Sequence, residues 1–421
     1  MGKNLNQSSN KWGQIPLLPW QMLAILTGFN LLNYLDRYLL SSIITDIQKE
    51  FSISDGQAGR ISTAFMLGYF LISPLFGYLG DRMSRKWLVA GGVFVWSLAT
   101  VLSGFSAGFI SLLIYRLWVG FGEASYGTIS PSLITDIYPK EKRNNALTIF
   151  YVAIPVGSAL GYLVGGLISA HWGWREAFFV AGAPGIVLAL LLLIFKEPER
   201  GATDDAKTKN SKIPSLKDVL SIIKIREYFL VVSGYCAYTF SLGAYAYWGP
   251  SFLERIHNMP KAEASLFFGG ITVVAGLVGT LVGGFLATRL LRHYSKAYEL
   301  VMGLTTLATV PFSFLAFTST DPLTVKICLF LAIVMFFLPT GPINTLILET
   351  VPVNLRSSAM AISIFCIHMF GDMWSPEIVG HLSDSWGSLA KAMMILPVFS
   401  GIGALIWLSM VFVGRNKNAV T

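Results

Sequence analysis

Twelve stretches of this chain are each long and apolar enough to cross a lipid bilayer, and few folds accommodate such a pattern. They run approximately over residues 20–44, 60–80, 87–107, 109–138, 145–169, 175–195, 228–253, 264–290, 297–318, 323–351, 357–382 and 388–413. A spanning helix needs roughly 20 mostly apolar residues, because without water its backbone polar groups must be satisfied within the segment. Only 13% of the side chains are charged, where about 25% is typical of a soluble chain. A soluble core could not hide twelve such stretches joined by such short polar segments. The expected fold class is an all-α polytopic membrane protein.

The chain also repeats itself. Gly77-Tyr-Leu-Gly80-Asp81-Arg82 recurs in weakened form as Gly284-Phe-Leu-Ala-Thr288-Arg289, 207 residues on. Pro139-x-x-x-Arg143-x-x-Ala146 recurs as Pro352-x-x-x-Arg356-x-x-Ala359, 213 residues on. Both offsets are close to half the length, so the expected architecture is two pseudo-symmetric six-helix bundles facing each other, as many carriers are built. The one long polar connection, residues 196–227, sets the expected divisions: an N-terminal bundle (1–195), a linker (196–227) and a C-terminal bundle (228–421). Apolar and basic residues alternate at helical spacing from Ser215 to Glu227, which predicts a short helix on the membrane surface.

The net charge is +8, and its distribution is topological. With the N-terminus inside, 22 basic residues fall in inner segments and seven in outer ones (Lys49, Arg60, Arg175, Arg255, Lys261, Lys326, Lys391). This asymmetry follows the positive-inside rule, so both termini are expected in the cytoplasm and the chain in the cell's inner (plasma) membrane. No nucleic-acid partner is implied. The first nineteen residues are polar and lack the apolar core of a cleavable signal, so the first span is expected to serve as its own uncleaved one. Cys236, Cys328 and Cys366 sit in spans at unrelated spacings, giving neither a disulfide framework nor a metal signature. No cofactor is expected.

Ionisable residues inside spans are costly and usually functional. The first span holds Asn33-Tyr34-Leu35-Asp36-Arg37, and the fourth holds Arg116 and Glu123, seven residues apart and thus on nearly one face. A buried carboxylate stays ionised beside a cation and tends to neutralise without one. An Asp36 or Glu123 that changes partners through a transport cycle therefore couples it to protons. A static pair locking the two helices together is the open alternative. Arg37 and Arg116 suit a phosphate or carboxylate headgroup, and Tyr34, Tyr126 and Tyr151 can add hydroxyls. His368 and Asp372, four apart, are a second protonatable pair, a substrate contact or a packing contact. Asp81, Arg82, Arg85 and Lys86 lie at the inner mouth after Gly77, where the three cations could pair with acids of the other half in the outward-open state only, as a conformational latch. Arg143, Arg289, Glu349 and Arg356 are further gating candidates.

These motifs resemble the major facilitator superfamily: Gly77-x-Leu-Gly80-Asp81-Arg82-x-x-Arg85-Lys86, Arg116-x-x-x-Gly120-x-Gly122, and the glycine-proline fifth span. Within it, Asn33 to Arg37, Gly122-Glu123-Ala124-Ser125-Tyr126, Pro155-x-Gly157-Ser158-x-x-Gly161-Tyr162 and His368-x-x-Gly371-Asp372-x-x-Ser375-Pro376-x-x-x-Gly380-x-x-Ser383-Asp384 are similar to the Spinster family of lipid carriers. The resemblance implies a proton-coupled secondary carrier of lysophospholipids or sphingosine-phosphate-like lipids. It further implies coupling and headgroup roles for Asp36, Arg37, Arg116 and Glu123, gating roles for Asp81, Arg82 and Arg85, and a monomer. Thr288 stands where the first half has Asp81, so a latch there is weaker or built differently. The polar N-terminus and compact loops fit a bacterial member.

The competing readings are a drug–proton antiporter, an organic-anion symporter, or an uncoupled lipid scramblase or receptor. Gly104-x-Ser106-x-Gly108 spells a nucleophile elbow, but it falls in a tiny turn between spans, without the strand–turn–helix setting that motif needs. Neither a phosphate-binding Gly-x-x-x-x-Gly-Lys loop nor a zinc-binding His-Glu-x-x-His is present. The chain is not expected to be an enzyme.

Overall fold

The computed structural model describes residues 18–198, 216–352 and 355–412. The polar N-terminal segment, most of the linker and the last nine residues lie outside that set, as does the side chain of Asp81. Six long helices form the first half: α1 (Pro19–Phe51), α2 (Asp55–Arg82), α3 (Arg85–Gly104), α4 (Phe109–Ile137), α5 (Lys140–His171) and α6 (Trp174–Ile194). The described end of the linker carries a short helix, α7 (Leu216–Ser221), with Ile222 buried just beyond it.

The second half supplies α8 (Arg226–His257), α9 (Lys261–Leu291) and α10 (Ala297–Thr318), then three interrupted spans. The tenth span is α11 (Pro322–Phe337) and α12 (Thr340–Glu349), broken where Pro339 removes a backbone donor. The eleventh is α13 (Arg356–Ile367) and α14 (Ser375–Trp386), joined by a wide π turn over His368–Asp372. In that turn the Met373 amide bonds to the His368 carbonyl, one residue further back than in an α-helix. Pro376 cannot donate to the Asp372 carbonyl, and the Ser375 hydroxyl reaches it instead at 3.3 Å. The twelfth is α15 (Leu389–Met393) and α16 (Ile395–Phe412).

Nine of these spans are apolar and long enough to cross a membrane on composition alone. The other three are α1, α4 and the broken α13–α14, which hold Asp36 and Arg37, Arg116 and Glu123, and His368 and Asp372. The three spans outside that set are the ones that carry charged side chains near mid-length.

Small residues set the packing within each half. Gly157 and Gly161 of α5 lie against the Leu31 and Leu35 carbonyls of α1, where any side chain would overlap backbone, and Gly165 lies against the Ser42 hydroxyl of the same helix. Gly279 and Gly283 of α9 meet the Val334 and Leu338 carbonyls of the tenth span in the same way. Pro155 leaves α5 unbroken.

The halves meet chiefly at one end of the molecule. There α2 packs on α14 and α5 on α9, and Tyr162 stacks edge-on against Phe268. Toward the other end, which carries Arg82, Arg85 and Lys86, α2 exposes Leu71, Leu75 and Tyr78 while α13 exposes Ile364 and Phe365. These are the joined end and the basic end of the molecule.

Candidate functional site

Two ion pairs stitch α1 to α4 at mid-length. Arg116 Nη1 donates to Asp36 Oδ1 at 3.0 Å, and Arg37 Nε donates to Glu123 Oε2 at 2.7 Å. The seven-residue spacing in α4 puts Arg116 and Glu123 on one side, and consecutive residues of α1 answer them. Asp36, Arg116 and Glu123 are each no more than 1% exposed, while the Arg37 side chain is 20% exposed. Charges this deep persist only when paired and hydrogen-bonded.

A cavity of about 120 Å³ opens in front of the quartet, between the halves. Arg37 and Arg116 line it from the first half with Tyr34 and Tyr38, and Tyr247 and Asp372 line it from the second. Asp36 and Glu123 stand behind their arginines. The rings of Tyr34, Phe65 and Tyr69 surround the Arg37 guanidinium at 5.1 to 5.2 Å, and Phe65 also faces Arg116. Aromatic faces attract a cation without discharging it, so Arg37 keeps charge to offer an anion in the cavity.

The structure separates the other candidates. His368 Nδ1 lies 2.9 Å from Asp372 Oδ1, the two brought together by the π turn, with Phe70 edge-on to the imidazole. Asn33 is buried beside the quartet. Tyr126 is 1% exposed, and its hydroxyl donates to the Leu26 carbonyl at 2.6 Å, inside the first bundle rather than on the cavity wall. Tyr151 is half exposed and packs on Phe150, apart from the quartet.

At the basic end the expected latch cations are engaged within their own half. Arg85 is buried against Asp136 and Glu197, and Lys86 donates to the Leu193 and Phe195 carbonyls. Arg82 is exposed and lies over the Tyr78 ring. Gly77 is partly buried, with Thr128 its nearest neighbour. Arg143 donates to the Tyr138 carbonyl and Arg356 to the Leu348 carbonyl. Arg289 and Glu349 are exposed.

The joined end holds a second charge cluster that the sequence reading passed over. Arg255 of α8 grips Asp55 of α2 through two nitrogens, Ser383 of α14 donates to the same carboxylate, and Asp384 accepts from the Asp55 and Gly56 amides. Asp384 thereby caps α2 from the opposite half. Arg60 pairs with Glu377 at 2.7 Å, Thr45 donates to Glu254, and Lys261 pairs with Asp46. A depression of about 740 Å³ lies over this cluster, larger than the central cavity but touching none of the buried quartet. A sequence signal existed: acids and bases at both span ends beside Gly56, Gly59 and Gly380.

Residues 26–376 match the family model described as Major Facilitator Superfamily. The chain is 34% identical to "Protein spinster" of Drosophila melanogaster over 87% of its own length, and spans 62% of that longer protein. It is also 34% identical to the "Sphingosine-1-phosphate transporter SPNS2" of Danio rerio, over 92% of this chain and 82% of that one. Among solved structures, it superposes with a TM-score of 0.87 on a bacterial homologue of the human lysosomal transporter Spinster in an inward-facing, unoccupied conformation. There the identity is 23%, over 96% of this chain and 98% of that one.

Proposed function

Because the chain belongs to the major facilitator superfamily and, within it, to the Spinster proteins, we propose that it is a proton-coupled alternating-access carrier of an anionic amphipathic lipid. A lysophospholipid or a sphingosine-phosphate-like molecule fits best, in line with the named activity of the Danio rerio relative.

One observation carries this reading: Arg37 stands between Glu123 and the cavity, touching the first and facing the second. A headgroup phosphate entering the cavity competes with Glu123 for the guanidinium, which can bind two oxygens at once. Once Arg37 turns to the headgroup, Glu123 is a carboxylate without a cation among apolar helices, and it takes a proton from cavity water. Lipid and proton are thus loaded together. Release of the lipid returns Arg37 to Glu123 and expels the proton. Tyr34, Tyr38 and Tyr247 offer amphipathic surface, and Asp372, paired with His368, faces the cavity from the second half.

In this reading the bundles 1–195 and 228–421 rock about the cavity, joined by the linker 196–227. The charge asymmetry supports a cytoplasmic basic end and cytoplasmic termini, and in that orientation the state described is closed outside by the Asp55 cluster and open inward. Arg82, Arg143, Arg289, Glu349 and Arg356, with Asp81, border the inner mouth and would engage when it closes. The chain acts as a monomeric carrier in the inner membrane, not as an enzyme.

The test is proton movement in proteoliposomes. Addition of a lysophospholipid should draw protons in with the lipid, whereas short organic acids and cationic dyes should not. Proton flux with the acids or dyes instead would replace the substrate class, and lipid flux indifferent to pH would favour an uncoupled scramblase.

A further inference from the structure

The two buried acids of the quartet are not equivalent, and the difference traces to α3. Thr100 of that helix is fully buried, and its hydroxyl donates to Asp36 Oδ2 at 2.6 Å. Arg116 holds the other oxygen of the same carboxylate. Both Asp36 oxygens are therefore satisfied, by donors from two other helices. Glu123 accepts from Arg37 on Oε2 only; its Oε1 is buried with no hydrogen-bond partner among the described residues. An added proton would displace a donor from Asp36, but on Glu123 it would settle on an oxygen that no donor occupies.

Resting on the proton-coupled reading above, we propose that Thr100 is a positioning residue. It keeps Asp36 ionised against Arg116, so that the transported proton is taken up and given off at Glu123 alone. In the loading step hydronium in the cavity transfers its proton to Glu123, leaving water and a neutral carboxylic acid while Arg37 holds the anionic headgroup. In the release step the carboxylic acid returns the proton to water on the far side as Arg37 comes back. Asp36 and Arg116 pass through both steps as an unchanged neutral pair that anchors α1 to α4. Were Thr100 only a packing residue, valine, with nearly the same shape, would replace it silently.

The experiment reads carboxyl protonation directly, with a lysophospholipid added to draw Arg37 from Glu123. Purified protein in lipid nanodiscs is titrated with acid while the C=O stretch of protonated carboxyls is followed by infrared difference spectroscopy. The wild type should show a buried-carboxyl band that Glu123→Gln removes and Asp36→Asn leaves. Thr100→Val should add a second band, absent from the Thr100→Val/Asp36→Asn double variant, as Asp36 Oδ2 loses its donor. Thr100→Ser, which keeps the hydroxyl, should match the wild type. A Thr100→Val spectrum identical to wild type, or loss of the band in Asp36→Asn, would overturn the assignment while leaving proton coupling standing. A wild type with no band dependent on either acid would overturn the proton-coupled reading and this inference with it.

Discussion

Asp55 at the start of α2 and Arg255 near the end of α8 meet across the two halves in a two-pronged ion pair, at 2.6 and 3.0 Å. Ser383 and Gln48 donate to the same carboxylate, so a single acid collects donors from three helices. Such a contact exists only while the joined end is closed, and it contributes to the balance between conformations rather than to either bundle's own fold.

Arg255→Ala should therefore shift that balance without unfolding the protein. The Arg255 side chain is one-third exposed, so solvent screening limits the effect to about 1 kcal/mol, roughly fivefold in population. Spin-label distances between the joined ends of α2 and α14 would show a longer component growing in Arg255→Ala and receding in the charge-swapped pair Asp55→Arg/Arg255→Asp. An unchanged distance distribution would show that the pair does not bias the equilibrium.

Glycine contacts reinforce the same closure. A Cβ at Gly59 would overlap the Pro376 carbonyl and the Glu377 backbone, and one at Gly380 would overlap the Asp55 carbonyl. Gly59→Ala should wedge the joined end apart, expose a cysteine placed at Ser62 to external thiol reagents, and slow transport at least tenfold, an estimate taken from about 1.4 kcal/mol or more of strain. Gly284→Ala, where a Cβ meets nothing within 4 Å, is the matched control and should transport normally.

How much of this was legible in the sequence depended on where each residue sat. Asp36, Arg37, Arg116 and Glu123 stood out because charge in an apolar helix has few explanations, and their spacing gave a shared face. Which acid met which base was not legible, since helical spacing fixes azimuth on α4 but not the register of α1 against it. Asp384 stands in the eleventh-span motif, but its partners Asp55, Arg60 and Arg255 do not stand out because charges at span ends are ordinary; only the folded halves show that they face one another. The helical continuation of α1 to Phe51 and α8 to His257, past the apolar stretches, is what carries Thr45, Asp46 and Glu254 into that contact. Arg85 and Lys86 are expected to reach across the halves only in the outward-open state; in the state described both turn into their own bundle, where Asp136, Glu197 and the end of α6 offer acceptors. The π turn at His368–Asp372 had no sequence signal beyond the proline that follows it.

Because Arg85 is spent within the first half, it should behave as a structural pin in the state described. Arg85→Ala takes from the buried Asp136 carboxylate one of its partners, a change that costs up to roughly 3 kcal/mol for a buried pair. Thermal unfolding in detergent should drop clearly for Arg85→Ala and recover in part for Arg85→Ala/Asp136→Ala, which removes the acid as well. Equal loss in both variants would mean that Arg85 stabilises through Glu197 or packing instead.

The sharpest consequence concerns Glu123. Glu123→Gln keeps the shape of the side chain but removes both the proton site and the negative charge that competes with a headgroup for Arg37. Lipid-for-lipid exchange across the membrane, which needs no net proton movement, should therefore persist and saturate at lower lipid concentration than in the wild type. Net accumulation should fail: at zero membrane potential, one proton per cycle and one unit of pH difference sustain at most about tenfold accumulation, and the variant should stay near onefold. Arg37→Ala should lose both exchange and accumulation, because it removes the headgroup contact itself. Exchange abolished in Glu123→Gln, or accumulation retained, would separate Glu123 from coupling and return the quartet to a static brace between α1 and α4.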